Sequence, residues 1–109
     1  MQPDEQAAVV AKCATKVGAL EVFQAIAQQL KRPPPSFQRL HALLEAWRDP
    51  VAIDNGVCEA IEAVDPIVEI RGTTVRALLV AMRVATTQRA AALRRTRSTL
   101  GRKDFKPDE

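Results

Sequence analysis

Residues 73–100, which read TTVRALLVAMRVATTQRAAALRRTRSTL, are the most informative segment of the chain for its fold. The segment contains no glycine and no proline, so no residue in it is a strong helix breaker. Apolar residues recur in it every three or four positions, which is the spacing of one helical face. These 28 residues therefore predict a single amphipathic helix, about 42 Å long. Gly101 is the predicted stop.

The first third of the chain shows the same spacing. Apolar residues predict one helix over residues 6–30, and the three prolines at 33–35 must end it. Gly18 lies inside this helix and marks a close packing contact, because glycine costs helical stability and needs a reason to be there. Ser36 is the predicted cap of the next helix.

A third helix is predicted from Asp49-Pro50, since aspartate at the cap followed by proline at the first helical position is a strong start signal. The turn dipeptide at residues 55–56 predicts a break within this helix. The start signal recurs at residues 65–66. Residues 67–71 fit either a short helical turn or an extended segment.

These patterns predict an all-α fold, namely a small bundle of four or five helices that ends in one long amphipathic helix, without a sheet. The chain has 109 residues, which is the size of one domain. We expect a single helical domain over residues 1–109, with residues 1–5 and 102–109 flexible.

Charge is distributed unevenly along the chain. Residues 1–69 carry six basic and ten acidic side chains, a net −4, whereas residues 70–109 carry ten basic and three acidic ones, a net +7. A one-ended asymmetry of this kind indicates a polyanion, an acidic partner or a membrane surface.

One face of the long helix carries a row of arginines. Arg83, Thr87 and Arg94 fall within about 20° of the direction of Arg76 around the helix axis, and the row spans about 27 Å. No acidic residue lies between Arg71 and Lys103 in the sequence. The predicted nucleic-acid-binding residues are, in chain order, Arg76, Arg83, Thr87, Arg94, Arg97, Arg102 and Lys103.

Such a row suits a phosphate backbone, because guanidinium groups donate bidentate hydrogen bonds to phosphate. We therefore expect a nucleic-acid-binding protein that reads no bases, with RNA, either single- or double-stranded, slightly favoured over DNA. One alternative is a protein–protein adaptor or inhibitor whose basic helix docks on an acidic partner. The other is a solvated helix face without a binding role.

A second set of positions on the long helix predicts a homodimer. Residues 75, 78, 82, 85, 89, 92 and 96 follow an alternating three-four spacing. Arg89 lies inside this apolar face, so it must be paired, lie at a subunit contact, or fall where the helix has left the core. The predicted dimer seam contains Val75, Leu78, Met82, Arg89 and Leu93. Small all-helical dimers occur among viral and phage proteins that coat RNA, which is a likeness of architecture only.

Sequence signals for catalysis, metals and cofactors are lacking. His41 is the single histidine, and the chain has no HExxH, CxxC or glycine-rich phosphate loop. We expect no metal, no cofactor and no enzymatic activity, and we interpret His41 with Glu45 as a surface pair. The polar N-terminus is not a signal peptide, and no apolar run is long enough for a membrane span. Two cysteines without a disulfide framework favour an intracellular protein.

Overall fold

The computed structural model describes the backbone of residues 1–105 and the side chains of residues 1–96. Over these residues the chain forms five helices and one small hairpin. The elements are α1 (Pro3–Lys12), α2 (Lys16–Gln29), α3 (Pro35–Ala46), α4 (Pro50–Ala63), β1 (Glu69–Ile70), β2 (Thr73–Thr74) and α5 (Val75–Phe105). The predicted all-α bundle with one long final helix is confirmed.

The prediction of a single helix over residues 6–30 is wrong, because the helix is interrupted between Lys12, where α1 ends, and Lys16, where α2 begins. Thr15 caps α2: its Oγ1 accepts a hydrogen bond from the backbone N–H of Gly18 at 3.1 Å. A Cβ atom at Gly18 would overlap the backbone carbonyl of Lys12, so α2 starts directly against the end of α1. The close contact expected at Gly18 is confirmed. Helix α1 begins at Pro3, within the segment that we expected to be flexible.

Helices α3 and α4 start differently from each other. Pro34 occupies the cap position of α3, and no side chain caps this end, so the cap predicted at Ser36 is wrong. The start predicted at Asp49 is confirmed, since its Oδ1 accepts from the N–H groups of Val51 and Ala52, both at 3.1 Å.

Helix α4 is continuous through the turn dipeptide at which we predicted a break. The reason lies in packing: Gly56 faces α3, and a Cβ there would lie 3.2 Å from the Cδ1 of Leu43 and 3.3 Å from that of Leu40. A small residue lets the two helices approach closely, and the packing outweighs the local cost of glycine in a helix.

Of the two alternatives for residues 67–71, the extended one is found in part, because residues 69–70 form strand β1 of a hairpin. The expectation of a fold without a sheet is therefore wrong, and no helix begins at the start signal at residues 65–66. Glu69 pairs with Thr74 and Ile70 with Thr73 in an antiparallel register. Arg71 and Gly72 between them have φ values of 51° and 83°. Two consecutive positive φ values are typical of the tight hairpin turn whose twist matches that of the strands. The hairpin thus turns the chain from α4 back into α5.

Helix α5 packs mainly against α4 and α1. Thr74 caps its start, with Oγ1 accepting from the N–H of Ala77 at 3.0 Å. The stop predicted at Gly101 is wrong, because the helix continues to Phe105. Its 31 residues correspond to about 46 Å, and the molecule as a whole is elongated, with dimensions of 60 × 30 × 22 Å. Among the described residues, no helix is both long and apolar enough to cross a membrane.

Candidate nucleic-acid interface

The four predicted binding residues of α5 whose side chains are described all lie on its exposed side. We call Arg76, Arg83, Thr87 and Arg94 the arginine face, and each of them is exposed. On the other side of the helix Val75, Leu79 and Met82 are 0% exposed. The burial of this apolar side fixes the rotation of α5 and thereby turns the arginine face to solvent. The side chains of Arg97, Arg102 and Lys103 lie outside the described residues.

An acidic residue of α4 reaches the centre of the arginine face. Asp54 Oδ1 accepts hydrogen bonds from the Oγ1 atoms of Thr86 and Thr87, both at 2.8 Å. The Nε of Arg83 lies 3.9 Å from the same carboxylate oxygen. Only 18% of the Asp54 side chain is exposed, against 49% of that of Arg83. The middle of the row is therefore partly neutralised by the protein itself.

Asp54 is absent from the predicted site residues, because the predicted interface rests on the long helix alone. Asp54 precedes Thr86 by 32 residues and adjoins Ile53 and Val57 on the apolar side of α4. An acid beside buried residues needs a polar partner, and that requirement is the signal that the sequence offers. Which partner it finds depends on how α4 lies against α5.

In the part of the chain that the structure describes, the two ends of the arginine face, Arg76 and Arg94, lack the acidic neighbour that Arg83 has at its centre. Within the described residues, neither Arg76 nor Arg94 has a hydrogen bond or an ion pair. Arg76 borders an open recess of about 380 Å³, whose lining includes Met1, Pro66 and Val80. Val80 is 41% and Met1 46% exposed, so this end combines a cation with accessible apolar surface.

Arg89, the charge inside the apolar face, is paired within the chain. Its guanidinium carbon lies 4.3 Å from the ring centroid of Trp47, and its Nη2 donates to the backbone carbonyl of Trp47 at 3.2 Å. Trp47 ends α3 in the left-handed conformation, with φ 50°. The Nη1 atom of Arg89 is buried without a hydrogen-bond partner. Arg89 is thus paired, and it lies next to Ala90, the last fully buried residue in the described part of α5.

The other residues of the predicted dimer seam belong partly to the core of the single chain. Val75 and Met82 are 0% exposed, whereas Leu78 and Leu93 are partly buried. A second copy could therefore reach Leu78 and Leu93 without unpacking the core. The homodimer stays a prediction.

The residues considered for other chemistry are separated. His41 stacks on Phe23 with ring centroids 5.5 Å apart, and its Nε2 lies 3.8 Å from Glu45 in an exposed pair. Cys13 is buried and Cys58 partly buried, and both thiols are free. Burial raises the pKa of the Cys13 thiol to about 11, although the charge of Lys12 lowers it somewhat. Among the described residues, no three potential metal ligands lie together.

Comparison with known proteins gives no relative: no family model, no curated protein and no solved structure matches this chain. Function therefore has to be inferred from the residues and their geometry.

Proposed function

We propose that this protein binds nucleic acid by contacting the phosphate backbone with the arginine face of α5. The observation that carries the proposal is the exposure of Arg76, Arg83 and Arg94 along one side of one helix. A helix spaces them over about 27 Å in a straight line. Guanidinium groups bind phosphate in bidentate geometry. The hydroxyl of Thr87, which donates to Asp54 in the structure, adds an uncharged donor once Asp54 is displaced.

Duplex RNA is the favoured ligand within this proposal. Phosphate contacts position a protein but carry no sequence information, and double-stranded RNA is recognised largely by shape and backbone. A helix lying along a duplex needs no base readout. We propose a binding role rather than catalysis, and a role inside the cell, where the free thiols of Cys13 and Cys58 are stable.

A salt titration of binding tests the proposal. The combined Arg76→Ala, Arg83→Ala and Arg94→Ala variant should lower affinity for all sequences alike, and the magnitude of the salt slope should fall by about 0.7–0.9 for each phosphate that is no longer neutralised. The matched control replaces three exposed arginines outside α5, namely Arg32, Arg39 and Arg48, and removes the same charge. A folded triple variant that binds like the parent would show that the arginine face is only a solvated surface.

We further propose that the chain acts as a homodimer, with Leu78 and Leu93 at the contact. Sedimentation should then give twice the chain mass of 12.0 kDa. A monomer up to about 100 µM would contradict this, since a weaker dimer is stabilised by less than about 5–6 kcal/mol.

Docking on an acidic protein is the second candidate function. It is favoured by the exposed apolar side chains of Val80 and Met1 beside Arg76, because protein partners use apolar surface that a phosphate backbone does not. The same titration separates the two functions. Nucleic-acid binding requires affinity that falls steeply with salt, whereas an adaptor should bind little nucleic acid at physiological salt.

A further inference from the structure

We propose that Asp54 competes with phosphate for the centre of the arginine face and thereby sets the affinity of the protein for nucleic acid. This inference rests on the proposed function and adds an internal regulator to it. Asp54 belongs to α4, so the regulating charge and the binding helix are separate elements of the fold.

The two exposed donors around Asp54, Thr87 and Arg83, are of the kind that bind a phosphate oxygen. The hydroxyls of Thr86 and Thr87 and the guanidinium of Arg83 converge on one atom, Oδ1. Hydroxyl and guanidinium groups are common phosphate ligands in nucleic-acid complexes. The carboxylate therefore binds where a phosphate oxygen would bind. It stays within reach of these donors because α4 packs against α5.

The buried hydroxyl of Thr86 can donate its hydrogen bond without the Asp54 carboxylate. Thr86 is 3% exposed, and its hydroxyl also lies 3.1 Å from the backbone carbonyl of Arg83. A hydroxyl has one hydrogen to donate, so either acceptor is sufficient. The charge of Asp54 consequently has its main effect on the exposed groups, Arg83 and Thr87.

Because of this competition, the two ends of the arginine face should bind phosphate more readily than its centre. Arg76 and Arg94 are without a described partner and contact phosphate first. The helix places Arg83 about 10 Å from Arg76 and about 17 Å from Arg94. Phosphate reaches Arg83 only by displacing Asp54, which lowers the contribution of that position to binding.

The test compares the parent with Asp54→Asn on a fluorescent duplex RNA of about two helical turns and on a DNA duplex of equal length. Asparagine keeps the size and the acceptor oxygen but removes the charge. The magnitude of the salt slope should rise by about 0.7–0.9, and affinity at about 0.15 M salt should rise about fivefold, which is the value of one phosphate contact. Glu45→Gln is the matched control, because it removes one charge from α3, which packs on α2 and α4.

A double-mutant cycle with Arg83→Ala then tests whether Arg83 is the group that neutralising Asp54 makes available to phosphate. Competition predicts a larger decrease in affinity from Arg83→Ala in the Asp54→Asn background than in the parent, by the same factor of about five. A general charge effect predicts equal decreases in both backgrounds and would overturn the proposal. If Asp54→Asn fails to fold, the smaller neutral variant Asp54→Ser takes its place.

The remaining outcomes separate the two proposals. If the parent binds nucleic acid and a folded Asp54→Asn protein binds with the same affinity and slope, Asp54 is only a structural link between α4 and α5, and the proposed function stands. If neither protein binds RNA or DNA, the proposed function fails and the competition fails with it.

Discussion

The two parts of α5 differ in what surrounds them rather than in their composition. Residues 75–90 pack into the bundle, with Leu79 and Met82 at 0% exposure and Ala90 at 2%. In residues 91–96, by contrast, no side chain is fully buried, and Arg94 and Thr96 are exposed. Both parts are rich in alanine and arginine, which are good helix formers. Helical propensity therefore continues along α5 beyond its last fully buried residue, Ala90.

Arg89 lies where the packed part ends. Its contact with Trp47 joins α5 to the end of α3, and Ala90 is the last fully buried residue in the described part of the helix. An aromatic ring and a carbonyl can hold a guanidinium at the edge of a core, where an unpaired charge would be costly. The contact between Arg89 and Trp47 thus fixes α5 to the end of α3 at the point where its more exposed part begins.

The greatest difference in stability should appear between two leucines of the same helix. Leu79→Ala should lower the free energy of unfolding by about 2–5 kcal/mol, because it opens a cavity among fully buried neighbours. Leu93→Ala should cost about 1 kcal/mol or less when both proteins are measured below the concentration of the proposed dimer, since its site is only partly buried in the single chain. Urea unfolding of both variants measures the difference. Equal costs would mean that the two parts of α5 are packed alike.

A smaller effect is expected at the boundary between the two parts. Arg89→Ala removes the ring contact and the hydrogen bond to the Trp47 carbonyl, which should cost about 1–2 kcal/mol. Arg94→Ala, five residues further along and exposed, should change stability by less than about 0.5 kcal/mol. In a Trp47→Leu background the cost of Arg89→Ala should shrink. An unchanged cost there would show that the ring contributes nothing.

The weakest effect concerns binding rather than stability. Arg76→Ala in the packed part and Arg94→Ala in the exposed part should each reduce the magnitude of the salt slope by about 0.7–0.9. Equal changes would show that phosphate contacts extend across both parts of α5. A change for Arg76→Ala alone would restrict the interface to the part that the bundle supports.

Patterns within single elements were sufficient to predict several features. The helical class follows from apolar spacing, and the start of α4 follows from Asp49, whose side chain caps the backbone two and three residues later. The alignment of Arg76, Arg83 and Arg94 follows from the helical repeat. These features depend on residues that are close in sequence, so their physics is local.

Contacts between elements account for the rest. The break before α2 depends on Gly18 against the carbonyl of Lys12 together with the cap at Thr15, and a periodic pattern shows neither. Asp54 reaches residues 32 and 33 positions away, and Arg89 reaches Trp47 across 42. Local sequence is enough to make α5 a helix with arginines on one side. Whether an arginine of α5 contacts an acid, as Arg83 does, an aromatic ring, as Arg89 does, or solvent depends on the tertiary structure, because the partners come from other helices.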